Sequence, residues 1–374
     1  MFDKQRKERG VENMITKYDE FLCHQVVSTF DSVGTSAREW TERIWVSVHD
    51  TTGKYHFAAG FGVYPNRNII DTFACFAVEG RTQYNVRASR ELHPRTDDVA
   101  VGPFSYQVIE PLKKLRLTLE ENEHGLSYEI DFEASMQAQE EAAQYSMARG
   151  RTIENVKRYV QVGRPSGWIK ADGKTYQIDR NSWRAERDHS WGVRQGGGVA
   201  ETGVQPREIP QGYVYNFILT QFDDWGAAYH IREDGDGNAS HFCGGVSYPV
   251  ESGKEVLAVT GVEHNFKFRS DIRQVNGGEV TLHLGDGSSK ELSFRPLSVN
   301  YIKAGGYFGF RGFTHGEWLG EYFIDSVKLD LTDPEIIKEV SFLDDVVCEI
   351  RCNDQIGYGI VEMVVVGKYP RYGF

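Results

Sequence analysis

Apolar and polar residues alternate along much of this chain, the spacing of strands that bury one face and expose the other. In Arg43-Ile44-Trp45-Val46-Ser47-Val48-His49 the alternation is regular, Asp50-Thr51-Thr52-Gly53 has turn chemistry, and Lys54-Tyr55-His56-Phe57-Ala58-Ala59-Gly60 returns. That is a hairpin, and it puts Trp45, Ser47 and His49 on one face. Further strands are predicted at 70–78, 107–109, 115–119 and 126–132, separated by breaks rich in Gly, Pro and Asn. The pattern changes between 133 and 160, where Ala, Gln, Glu and Met dominate, and there it predicts a helical crossover. Strand signals resume at Ser166-Gly167-Trp168-Ile169-Lys170, turn at Ala171-Asp172-Gly173-Lys174 and continue to the end. A short helix is predicted after Thr332-Asp333-Pro334, and another in the opening segment up to about residue 30.

The pattern predicts a mainly β protein: two β-barrel or sandwich domains, 1–160 and 161–374, joined by the helical crossover. Within the second domain, Arg187-Asp188-His189-Ser190-Trp191-Gly192-Val193-Arg194 packs cations, an acid, an imidazole and an indole into one strand. Alternation puts Arg187, His189, Trp191 and Val193 on one face and Asp188, Ser190 and Arg194 on the other. His189 and Trp191 then stand about 7 Å apart along the strand, a proton-transfer group beside a π surface. The same residues also suit a structural cluster, with the arginines paired to carboxylates and His189 bonded to the backbone.

Aromatic residues are abundant, with 21 Phe, 19 Tyr and 7 Trp, which fits a β core or a pocket for flat, greasy ligands. The net charge of −12 argues against a nucleic-acid or anionic-membrane surface. No secretory signal or apolar span is visible, so a cytoplasmic protein is expected, a homodimer being one arrangement open to it. Five scattered cysteines fit structural thiols in a reducing compartment. Neither Gly60-Phe61-Gly62 nor Gly196-Gly197-Gly198 has the strand-to-helix setting of a phosphate loop, and Asp234-Gly235-Asp236-Gly237-Asn238 reads as a hairpin turn rather than a calcium loop. The histidines lack metalloprotease spacing, so no metal and no cofactor is expected. Glu362 lies among apolar residues and is expected to pair with Arg187 or Arg194.

The run from Gly163 to Arg194, the segment Val214-Tyr215-Asn216-Phe217-Ile218-Leu219-Thr220-Gln221-Phe222-Asp223-Asp224 and the late Gly357-Tyr358-Gly359-Ile360-Val361-Glu362 resemble the lipocalin-like superfamily of carotenoid 1,2-hydratases and AttH proteins. The resemblance implies two packed β-barrel-like domains with a ligand cleft at their junction. In the hydratases a His-x-Trp pair and a downstream Tyr-x-Asp are implicated in catalysis. His189 and Trp191 match the first; Val214 and Asn216 fall on the second, so an amide replaces the acid. The implied function is a cofactor-free hydratase or isomerase working by acid–base chemistry on a hydrophobic unsaturated small molecule, isoprenoid, steroid-like or aromatic. His189, Asp188 and Trp191 are the catalytic candidates, and Tyr215, Asn216, Arg194, Trp45 and Glu362 the substrate-binding ones. Two alternatives stand beside it: a lipocalin-like carrier of hydrophobic ligands, and a template for pericyclic cyclisation.

Overall fold

The structure is a computed structural model and describes residues 17–22, 24, 32–148, 150–194 and 212–374. Strands dominate it, in two assemblies. The first is a curled sheet whose main path runs Tyr322–Asp330, Thr82–Glu91, Ile69–Val78, Tyr55–Tyr64, Trp40–Asp50, Trp183–Val193, Arg151–Ala171, Leu126–Ala134, Lys114–Leu119, Phe104–Glu110 and Ala100–Val101. The second is a closed barrel of Gly212–Gln221, Gly226–Asp234, Ala239–Ser247, Leu257–Phe268, Val275–Leu284, Ser289–Tyr301, Asp344–Cys352 and Gln355–Gly367. Among the described residues no helix is long and apolar enough to cross a membrane.

The alternation in sequence is the division of this core. Ile44, Val46 and Val48 point into the curl of the sheet, where Phe57, Phe104, Leu117, Ile130 and Phe132 fill it. Trp45, Ala58, Phe73 and Cys75 point the other way and pack on Phe217, Leu219, Ala228, Ile360 and Val364 from the outer wall of the barrel. The barrel has its own interior of Val214, Ile218, Tyr229, Leu282, Phe294 and Val361. Burial of these side chains drives both closures, at roughly 25 cal/mol per Å² of apolar surface removed from water. The expected hairpin forms with His49 opposite His56, and the helix Pro334–Val340 forms with the Asp333 carboxylate accepting from Glu335 N at 2.9 Å.

Two expectations are corrected. Among the described residues of 133–160 there is no helix: the segment holds the end of Leu126–Ala134, the strands Gln139–Glu140 and Gln144–Ala148 and the start of Arg151–Ala171. Ala, Gln and Glu favour helix in isolation, yet the β-branched and aromatic positions Val156, Tyr159, Val160 and Val162 find burial in the sheet, and tertiary packing overrides the propensity. The change of sheet also falls between Val193 and Gly212 rather than near residue 160, so the motif strand belongs to the first sheet. Arg151–Ala171 is long enough to serve two neighbours, and Gly163 pairs with both Ala185 and Ala134 where it passes from one to the other. The expected opening helix lies largely outside the described residues; Lys17–Glu20 is a single 3-10 turn.

Candidate functional site

Cross-strand partners share a face, so register fixes what meets what. On the motif strand Asp188 stands opposite Trp45 on one side and Val160 on the other, while His189 stands opposite Ile44 and Tyr159. The Asp188 row therefore faces the barrel and the His189 row faces the interior of the curl. On the barrel wall a matching row runs Asp345, Glu362, Phe217, His230 and Cys243 across five neighbouring strands. The two rows meet at the junction. Gly192, at φ 127°, lets the motif strand close on its neighbour, for a Cβ there would lie 2.0 Å from Asn155 O.

At the junction Arg158 is the hub. Its guanidinium is 2.9 Å from Glu141 Oε2 and 3.3 Å from Asp188 Oδ2, donates to Tyr215 OH at 3.4 Å, and lies over the Phe217 ring at 4.6 Å. Burial pushes Glu141 up, but Arg158 and His230 outweigh it and hold it down at about 2. Burial dominates at Asp188 and raises it. Glu362 is raised to about 7 by burial, against bonds from Asp345 and Tyr215. Asp345 is raised as well, by burial and then by Glu362. Neither Asp345 oxygen has a protein donor when both acids are counted as ionised. The pair is satisfied when one carboxyl carries a proton and donates it to the other. Around these groups stand Trp45, Phe73, Phe217, Val364 and Tyr307.

Behind the motif strand the arrangement is closed. His189 Nε2 lies 2.9 Å from Glu42 Oε1 and Nδ1 3.1 Å from Tyr159 OH, which donates to Glu20 Oε1 at 3.0 Å. Arg187 forks onto Glu20, with Nη2 to Oε2 at 2.8 Å. His24 sits on the Trp191 ring at 3.4 Å and reaches Glu42 Oε1 at 2.7 Å. Burial pushes Glu42 up, but bonds from His189 and His24 prevail and hold it below the usual carboxylate range.

The expected site thus divides. The junction gathers Asp188, Arg194, Tyr215, Trp45 and Glu362, but His189 and Trp191 lie on the opposite face of their strand. Asn216 is elsewhere again: it points into the barrel, where Nδ2 donates to Tyr229 OH at 3.1 Å, while Tyr215 points out of it. Glu362 forms no ion pair with Arg187 or Arg194; Arg187 is taken by Glu20. The alternating pattern of a strand separates Tyr215 from Asn216 just as it separates Asp188 from His189.

The sequence profile of a family of unknown function, DUF8625, matches residues 15–374. The chain belongs to that family. No curated protein matches it in sequence. Among solved structures, one assigned as AttH from Nitrosomonas europaea is similar with a TM-score of 0.53 at 13% identity, over 87% of this chain and 92% of that one. CghA with Sch210972 is similar with a TM-score of 0.51 at 9% identity, over 93% and 97%. Kievitone hydratase from Nectria haematococca reaches 0.44 at 12% identity, over 87% and 89%. At such identities the first two likenesses are of fold alone: this DUF8625 member shares with them a lipocalin-like β architecture.

Among the described residues of this DUF8625 member two groups have metal-ligating atoms close together: Glu141, His230, His241 and Cys243, and His24, Glu42 and His189. In the first, His241 Nε2 is 3.5 Å from Cys243 Sγ and Glu141 Oε2 is 3.2 Å from His230 Nδ1. Guanidinium nitrogens already flank His230, Arg158 at 2.9 Å from Nδ1 and Arg232 at 3.2 Å from Nε2, and their charge opposes a cation there. In the second, Glu42 Oε1 is already shared by two imidazoles.

Arg158, Glu141, Asp345, Arg43 and Tyr307 complete the junction and were not among the sequence candidates. The first two fall in the segment expected to be helical. A signal for Arg158 was present in the alternation Val156, Arg158, Val160, Val162, and one for Asp345 in its place before Val346-Val347.

Proposed function

We propose that this protein is an enzyme performing acid–base chemistry of the hydratase or isomerase kind on a hydrophobic unsaturated small molecule held between sheet and barrel. The observation that carries this reading is the Asp345–Glu362 pair, which keeps a carboxylic proton near neutral pH beside Tyr215 and an aromatic wall. A carboxyl held neutral by its surroundings is the usual way to keep a strong donor available at pH 7. Glu362 donates its proton to one carbon of the double bond, whose electron pair forms the new C–H bond. The positive charge left on the other carbon faces the π surfaces of Trp45, Phe217 and Tyr307. Water then adds there and loses a proton to the carboxylate pair, or a neighbouring carbon loses a proton to it and the double bond moves. Asp188 and Arg158 set the field in which the pair titrates. His189 and Trp191 support the motif strand from behind.

The test is mass spectrometry of alkenes, terpenoids and enones incubated with the protein in deuterated water. Addition of water, or deuterium uptake without addition, abolished in Glu362→Gln, is the expected result. Ligands retained unchanged would instead favour a carrier, and a product of unchanged mass without deuterium a templated rearrangement; either outcome sinks the acid–base reading.

A further inference from the structure

The junction holds more positive charge than its acids engage. Arg43 is only 8% exposed, its guanidinium lies over the Tyr307 ring at 4.7 Å, and its Nε and Nη2 are buried without an acceptor. Arg194 is in the same condition at Nε and Nη2, and so is the indole Nε1 of Trp45. Asp188 and Asp71 are the acids Arg43 senses, yet neither pairs with it. Asp188 is bonded to Arg158; Asp71 accepts from Tyr64 at 3.2 Å and Gly316 N at 2.6 Å and contacts His315 at 3.4 Å. Arg158 spends both terminal nitrogens on Glu141, Asp188 and Tyr215, and only its Nε lacks an acceptor. Arg43 and Arg194 are therefore the cations left over. A buried cation without a counter-charge is costly, and buried donors in native proteins nearly always meet an acceptor.

We propose that Arg43 and Arg194, with the indole N–H of Trp45, seat a delocalised oxyanion of the ligand, so that the molecule taken at the junction is an apolar organic acid bearing a carboxylate or an enolate. A planar guanidinium fork matches such a group, and Trp45 and Tyr307 supply apolar surface next to it. This rests on the junction being the ligand site, as in the reading above, and adds which class of molecule it takes. It also orients that molecule: with its acid end held by the first sheet, its apolar body lies against the barrel wall that carries Glu362.

Calorimetry and thermal shift with benzoate, cinnamate and dodecanoate, each beside its methyl ester, test the seat. At least one acid should bind, roughly 10- to 100-fold more tightly than its ester, the worth of a charge-assisted hydrogen bond. Arg43→Met and Arg194→Met should erase that preference, lowering acid affinity far more than ester affinity. Equal affinity for acid and ester, or no binding of any of the three acids, overturns the inference. A second measurement needs no ligand. Arg43→Met should raise the melting temperature of the free protein by removing an unpaired buried charge, and a lowered one marks Arg43 as structural and overturns the seat. Glu362-dependent turnover of neutral alkenes without acid preference would remove this inference alone; acid-selective binding without turnover of any compound would remove the acid–base reading and leave the seat.

Discussion

Asp345 and Glu362 stand opposite one another on adjacent antiparallel strands of the barrel, both buried, and burial raises both carboxyls, so a proton shared between them is favoured. Glu362 is at about 7 in the fold and near 4.5 in an unfolded chain. Between those values the folded state binds the extra proton, so this group removes stability as pH rises from 4.5 to 7, with a constant penalty above. Buried His230 at about 3 and His315 at about 4 act oppositely, since their unfolded imidazoles take up protons below about 6.5. The informative quantity is the difference between Glu362→Gln and wild type. Denaturation at a series of pH values should show the variant gaining relative stability across that window and levelling above it; a flat difference contradicts the shared proton. Turnover of the wild type should fall as pH rises past about 7, as the donor is lost.

Arg158→Met should lower stability by roughly 3–5 kcal/mol, because it leaves Glu141 and Asp188 buried without their counter-charge. Urea denaturation at pH 7 measures it. A loss below about 1 kcal/mol, the level of an exposed pair, would show that the hub is open to solvent.

His189→Ala removes two buried hydrogen bonds, to Glu42 and Tyr159, on the face away from the junction. It should cost roughly 2–3 kcal/mol and leave the pH profile of turnover unchanged. A folded variant with a shifted profile would return His189 to the chemistry.

Asn216→Asp restores the acid of the hydratase pattern, but inside the barrel beside Tyr229. Burial raises such a carboxyl, so the variant should lose stability progressively as pH rises above about 4 and should gain no hydration. Increased water addition in deuterated solvent would show that the barrel interior is the reacting space.

Much of this fold was legible in the alternation. The first hairpin, a strand carrying Arg187 to Val193 and the helix capped by Asp333 were read from residue pattern, because burial of one face and turn chemistry are local requirements. The 133–160 segment misled because Val156, Tyr159 and Val160 are held in the sheet by the strand Trp183–Val193 outside that segment, and local propensity carries no record of that. Of the site, the two faces of the motif strand were read correctly: Arg187, His189 and Trp191 part from Asp188. Which face meets the barrel was not legible, for it depends on how the sheet curls. His189 and Trp191 were therefore expected in the cleft although their face turns away from the barrel, and Asn216 was placed beside Tyr215 although neighbours on a strand point apart.

The strand Tyr322–Asp330 arises from the barrel half of the chain but pairs along its whole length with Thr82–Glu91 of the first sheet, where Asp325 also holds buried Arg87. A chain stitched back in this way cannot gape at the junction as two hinged jaws would. Any molecule that reaches Glu362 must thread between sheet and barrel through side-chain movement, and a fragment ending at Val193 would lack the seam that finishes its own sheet.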